Sequence, residues 1–298
     1  QQQILDNCQA LTNQLTARGL RVPFGGSNTH LGNVDCKTVV GKDGTTLSGD
    51  MAARILDVAG IVLNRNTIPG DKTALFATGI RYGTPWMTQR GLNEKDMVEV
   101  ANIIADVLSA CEPYSVETRK GLVQRAKIDF QVLEQAKIRV RKLAEKADTD
   151  LAPVGHGYPH FFYLDDQPAV KDGWSAFRLT GRNVRHFVNF VFTANADTLA
   201  VGATQECELI ANGKAIACRL TAQSVDEFVA AVPAADASLA AAWMRALSDG
   251  YIAFDDDAAR RIPGPVYVVE APELAATSPA TKSAPEEKPY SIGFNARP

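Results

Sequence analysis

The run from Asn64 to Gly91, NRNTIPGDKTALFATGIRYGTPWMTQRG, constrains this chain more than any other stretch. One arginine, Arg81, stands between Gly79 and Gly83 in a turn-rich segment that also holds Phe76, Ala77, Ile80, Tyr82 and Trp86. A guanidinium among such neighbours is costly unless an anion meets it. Its planar fork suits a carboxylate gripped by two parallel hydrogen bonds. The two glycines remove side chains that would keep a ligand or a neighbouring backbone at a distance. Pro69-Gly70-Asp71 predicts a turn just upstream, and Pro85 limits the conformations open to Thr84. Taken alone, these residues describe an anion-binding loop.

The rest of the composition narrows the class. At 298 residues the expectation is about two domains, each able to bury a core. Lys plus Arg number 31 against 34 Asp plus Glu, a net charge of -3 that argues against nucleic acid or an anionic membrane surface as partner. The most apolar stretch, Phe228 to Leu247, is interrupted by Pro233, Asp236 and Arg245 and is no membrane span. Five cysteines, at 8, 36, 111, 207 and 218, form no CxxC pair and read as reduced structural thiols of a cytoplasmic protein. The chain opens QQQILDNCQAL directly into an amphipathic helix pattern, and residues 271–289 are an Ala/Pro/Ser/Glu linker before KPYSIGFNARP. The ends therefore read as those of an internal piece of a longer polypeptide.

Helix and strand signals alternate through residues 1–148. Gln1–Arg18 predicts a helix, HLGNVDC a strand, and Ser48–Val58 a helix capped by Ser48. Ile61–Leu63 predicts a short buried strand and Leu75–Gly79 another. Glu94–Ala110 carries a continuous apolar face. Beyond Pro113 a long helix is expected from about Val116 to Ala147, with Leu122, Ala126, Phe130, Leu133, Ala136, Val140 and Leu143 along one side. Its nine basic residues meet six acidic ones between Val116 and Asp150, so a solvated face outweighs a nucleic-acid stripe.

A Pro/Gly hinge at 149–160 precedes a region of different texture. Trp174–Thr180 predicts a strand and Asn183–Phe192 a helix. Gln205–Ile210 and Lys214–Thr221 flank Asn212-Gly213, a strong hairpin signal. Glu227–Val232, Tyr251–Phe254 and Val266–Glu270 predict strands, and Asp236–Leu247 a helix. That order suggests an α+β unit with an antiparallel sheet. No metal site is expected: His156 and His160 are separated by Gly157 and Pro159, and Asp255, Asp256 and Asp257 read as a solvated loop.

FGGSNTHLGNVDC (Phe24–Cys36), NRNTIPGD and TGIRYGTPWMTQRG, in that order and spacing, resemble the C-terminal part of serine hydroxymethyltransferase. The resemblance covers roughly the first half of the chain. It implies an α/β fold, the C-terminal part of a fold-type I pyridoxal-phosphate transferase. It also implies one-carbon transfer between serine and tetrahydrofolate, with glycine as the other amino acid, in a homodimer. Arg81 would then pair with the substrate carboxylate, and Asn66 with Ala74, Leu75 and Phe76 would line the folate site. The cofactor lysine of that family lies in a motif absent from these residues, so no catalytic residue is expected here and the chain alone should be inactive.

RLTGRNVRHFVNFVFTANAD and GATQECELIANGKAIACRLTA are similar to the folate-binding domain of aminomethyltransferase, the glycine-cleavage T-protein. That family carries a carboxylate pair just after this hairpin, where Ala217 and Cys218 stand here. The implied organisation is 1–148 serine hydroxymethyltransferase-like, 149–160 hinge, 161–270 an α+β aminomethyltransferase-like folate domain without its chemistry, 271–289 linker and 290–298 a further segment. The competing expectations are another fold-type I enzyme such as an aminotransferase, and a non-catalytic docking or spacer role for 161–270.

Overall fold

A computed structural model describes residues 1–119, 121–148, 161–255 and 264–275. The hinge at 149–160, Asp256 and Asp257, and residues 276–298 lie outside them. The architecture is mixed α/β. Helix α1 (Gln2–Ala17) leads to strand β1 (Leu31–Asp35), helix α2 (Gly49–Val58), strand β2 (Asn64–Asn66) and strand β3 (Gly79–Gly83). A short helix α3 (Pro85–Gln89) and the long α4 (Glu94–Ser109) follow. Strands β4 (Cys111–Thr118) and β5 (Gly121–Ile128) form a hairpin, and α5 (Phe130–Lys146) closes this part.

Local chemistry fixes these boundaries. Ser48 caps α2 by accepting from the Met51 N–H at 3.2 Å. Asn93 and Asp96 build a capping box on α4, and Asp129 caps α5 by accepting from Val132. Cys8, Leu11 and Leu15 of α1 are fully buried against Met97, Ala101, Ile104 and Leu108 of α4, and Met51, Ile55 and Val58 of α2 join the same core. Each such side chain contributes on the order of 1.5–3 kcal/mol of burial energy.

Three expectations fail in this half. Ile61–Leu63 is no strand: pairing begins at Asn64, and Val62 is 80% exposed. Leu75–Gly79 is not a strand either. Ala74–Phe76 forms a single 3-10 turn, and the strand starts at Gly79. The helix expected from Val116 begins only at Phe130, because 111–128 pairs with itself from Cys111↔Ile128 to Thr118↔Gly121. Contacts distant in sequence stabilise that hairpin: Ser115 N donates to Asp43 Oδ2 at 3.0 Å, and its hydroxyl meets Thr45 Oγ1 at 2.9 Å. Leu122, placed on the helix face by its spacing, is 75% exposed on the hairpin.

The second part forms a five-stranded antiparallel sheet, ordered β10-β6-β9-β8-β7. Its strands are β6 (Trp174–Thr180), β7 (Thr204–Ala211), β8 (Lys214–Ala222), β9 (Glu227–Pro233) and β10 (Tyr267–Glu270). Helices α6 (Val184–Val191) and α7 (Ala237–Ser248) pack on one face, where Phe177, Phe187, Phe228 and Met244 are buried. Asn212 and Gly213 take φ of 47° and 77°, the left-handed pair that a two-residue hairpin requires. Tyr251–Phe254 supplies no strand, only an isolated bridge from Ala253 to Lys127.

The two cores meet along α5 and α7. Trp243 and Phe254 stack with centroids 4.8 Å apart, and Phe130 meets Trp243 edge-on at 5.0 Å. Lys137, 1% exposed, donates to both oxygens of Glu134 at 2.9 Å and to the Phe162 carbonyl at 2.6 Å. Arg141 grips Asp165 and Asp166, and Arg139 grips Glu99 and Asp106. Much of the basic run on α5 is thus held by acids. No helix among the described residues is long and apolar enough to cross a membrane.

Candidate functional site

Arg81 lies on the central strand of the three-stranded antiparallel sheet β1-β3-β2. Strand alternation sends Ile80 and Tyr82 into the core and Arg81 to the opposite face. The sequence suggested an arginine enclosed by apolar neighbours. Instead those two neighbours anchor its strand, and the guanidinium is exposed at the rim of two clefts. The Tyr82 hydroxyl meets Thr12 Oγ1 at 2.6 Å, and burial pushes it up to about 12. Close beneath, Gly32 faces Tyr82 in register, where any Cβ would overlap the ring.

The Arg81 side chain makes no hydrogen bond or ion pair with a described residue. Asn33 and Asn64 occupy its two cross-strand positions. Asn33 Oδ1 is buried and lacks a donor. An open guanidinium beside an orphaned amide oxygen is a donor and an acceptor without complementary groups.

On one side of Arg81 is a polar cleft of about 530 Å³, lined also by Asp50, Arg54, Asp57, Arg65 and Asn66. On the other is a largely apolar cleft of about 860 Å³ reaching past Tyr82, Trp86 and Met87 to Ile104 and Val140. Leu63 and Asn64 form the wall common to both. Arg54 Nε donates to Asp50 Oδ2 at 2.9 Å and Arg65 Nη1 to Asp50 Oδ1 at 3.2 Å. Three guanidinium groups against two carboxylates leave the polar cleft one positive charge in excess.

The loop between β2 and β3 is laced by one carboxylate. Asp71 accepts from Ile68 N at 3.0 Å, Thr78 N at 2.9 Å and Thr78 Oγ1 at 2.5 Å. Burial would raise the Asp71 carboxyl, yet these bonds and nearby Lys37 hold it below the usual carboxylate range. The expected turn is present: Asp71 N donates to the Ile68 carbonyl across Pro69-Gly70, with φ of 99° at Gly70. Gly79 allows β2 to approach, because a Cβ there would overlap Ile68 and sit 2.9 Å from the Asn66 carbonyl oxygen. A Cβ at Gly83 would meet nothing closer than 3.6 Å, so packing does not demand that glycine.

Of the residues singled out from sequence, Arg81 and Asn66 share the polar cleft. Asn66, half-buried, donates Nδ2 to the Thr67 carbonyl at 2.8 Å. Ala74, Leu75 and Phe76 stand apart on their 3-10 turn, lining neither cleft, with Phe76 74% exposed. Sequence reasoning missed Asp50, Arg54, Asp57 and Asn33. The i,i+4 spacing of Asp50 and Arg54 on α2 was a visible signal for an ion pair. The parity of LGNVD, which puts Asn33 opposite the buried Val34, was another. In the second half, Ala217 faces Glu208 and Cys218 faces Cys207 across the hairpin.

Residues 1–104 match the family model described as serine hydroxymethyltransferase. The chain is 38% identical over 154 residues to serine hydroxymethyltransferase 3, chloroplastic, of Arabidopsis thaliana, covering 50% of this chain and 27% of that protein. It is 49% identical over 112 residues to serine hydroxymethyltransferase of Rickettsia canadensis, covering 37% and 25%. Against the enzyme of Xanthomonas campestris pv. campestris the figures are 45% over 111 residues, 37% and 25%. The chain thus spans about a quarter of the length of the curated relatives it matches. Residues 1–104 are thus similar to part of a serine hydroxymethyltransferase.

Proposed function

We propose that residues 1–148 are the C-terminal domain of a pyridoxal-phosphate-dependent serine hydroxymethyltransferase that interconverts serine and tetrahydrofolate with glycine and methylenetetrahydrofolate. The observation that carries this reading is the unpartnered Arg81 on a central strand, its backbone held by buried Ile80 and Tyr82 and its fork at a positively charged cleft. That arrangement fits the carboxylate of an amino acid, gripped by two parallel hydrogen bonds. Fixing the carboxylate sets which bond to the α-carbon is presented for reaction, an orientation effect. Asn66, in the same cleft, offers a side-chain amide to the folate co-substrate.

Pyridoxal phosphate, when bound, supplies the electron sink for bonds broken at that carbon. In this reading its lysine belongs to a part of the protein upstream of these residues. The exposed Val62 and Trp86 beside Arg81 support a face covered by that part, in the fold-type I arrangement and in a homodimer. For residues 161–270 we propose an aminomethyltransferase-like unit that has lost its chemistry and serves as a spacer, with 149–160 as hinge. Ala217 and Cys218 offer no carboxylate where that family needs one.

The test is Arg81→Lys in the full-length protein. It keeps the charge and removes the fork, so the serine Michaelis constant should rise on the order of tenfold or more. Unchanged serine kinetics would discard the assignment.

A further inference from the structure

The polar cleft of the first unit is braced by the second. Arg54, which lines that cleft, lies over the ring of Tyr251 at 4.2 Å from its centroid. Tyr251 lies three residues past the end of α7, a helix of the second unit. A second cleft residue, Asp57, feels the charges of Asp249 and Arg245 at the end of the same helix. The Arg54 guanidinium is therefore fixed from two directions, by Asp50 at Nε and by the Tyr251 face. Its guanidinium lines the cleft that Arg81 shares.

An arginine has many rotamers, and one held only by an exposed carboxylate samples most of them. Stacking on an aromatic face removes that freedom and keeps the fork edge-on to its ligand. We infer that Tyr251 is a positioning residue for the anion-binding cleft: through Arg54, the second unit sets how tightly the first unit holds its carboxylate substrate. This rests on the reading of the cleft as a carboxylate site. It gives residues 161–270 a part in substrate binding that does not require them to bind folate.

The experiment compares Tyr251→Ala, Tyr251→Phe and Arg81→Lys in the full-length protein. Readouts are the serine Michaelis constant, kcat, and glycine affinity by calorimetry. Tyr251→Ala should raise the Michaelis constant and the glycine Kd together by about two- to five-fold, the factor a partly exposed cation–π contact carries, with kcat unchanged. Tyr251→Phe keeps the ring and should restore both values. The inference is overturned if Tyr251→Ala leaves both constants unchanged, or if Tyr251→Phe is as impaired as Tyr251→Ala. A loss of kcat together with the cooperative unfolding transition also overturns it, since that marks a folding role. If Arg81→Lys raises the constants and Tyr251→Ala does not, this inference alone fails. If Tyr251→Ala raises them and Arg81→Lys does not, the carboxylate reading of Arg81 fails instead.

Discussion

Lys137→Met should destabilise the protein in a way that depends on pH, and the dependence is the informative part. Glu134 and Lys137 are 0% and 1% exposed at their side chains, where α5 meets the second unit. Burial pushes Glu134 up to about 7 from 4.5 and pushes Lys137 down, while each partner's charge pulls the other back. Removing one partner of a buried pair costs about 3–5 kcal/mol, because the survivor cannot stay charged. In Lys137→Met the cheapest escape for Glu134 is to take up a proton. From an unfolded value of 4.5, that costs about 1.36 × 3, or roughly 4 kcal/mol, at pH 7.5. At pH 5.5 it costs only about 1.4 kcal/mol.

The sign follows from linkage. A carboxyl whose folded value is raised contributes stability below its unfolded value, and loses it as pH climbs towards the folded one. Wild-type Glu134, raised to about 7, itself loses roughly 2 kcal/mol over this span, so the mutant should fall further behind by roughly 1 kcal/mol between pH 5.5 and 7.5. Losing the charged Lys137 bond to the Phe162 carbonyl adds about 1.5–3 kcal/mol at both pH values. Urea unfolding at the two pH values measures both parts. A deficit equal at pH 5.5 and 7.5, or below about 1 kcal/mol at pH 7.5, would refute the reasoning. The double variant Glu134→Leu with Lys137→Met should recover most of the loss, since an apolar replacement leaves no buried charge.

Gly79→Ala should cost on the order of 2 kcal/mol and weaken amino-acid binding, because its methyl meets the Asn66 backbone and Ile68; unchanged melting and binding would count against the strand geometry. Asp71→Ala should cost about 2–3 kcal/mol near neutrality by unlacing Ile68 from Thr78. Because the Asp71 carboxyl is depressed, its contribution is present above the unfolded value and vanishes as pH falls, so wild type and variant should converge in acid. In thiol titration of the native protein, Cys207 should react first, since Cys8, Cys36, Cys111 and Cys218 are buried; denaturant should release all five.

What the sequence made legible was local. The Ser48 cap, the apolar face of α4 and the Asn212-Gly213 turn are each written in a few adjacent residues, and each stands where expected. The hairpin at 111–128 was not legible. Leu122, Ala126, Phe130 and Leu133 keep a helical spacing across what is a strand, a boundary and a helix. Ser115 pairs with Gln124 in the hairpin and is further held by Asp43 and Thr45, some seventy residues away. The candidate site divides the same way. From sequence alone, Arg81 and its glycines suggest an anion-binding loop. The exposure of Arg81, and the cleft shared with Arg54 and Asp57, depend on strand parity and on where α2 packs.

The proposed function turns on Arg81 gripping the carboxylate of an amino acid. A crystal structure of the full-length protein with glycine bound tests it most directly. Both carboxylate oxygens should lie about 2.7–2.9 Å from the Arg81 guanidinium nitrogens, in a fork-to-fork pair. Glycine seated elsewhere, with Arg81 turned to solvent or paired to a protein carboxylate, would contradict it.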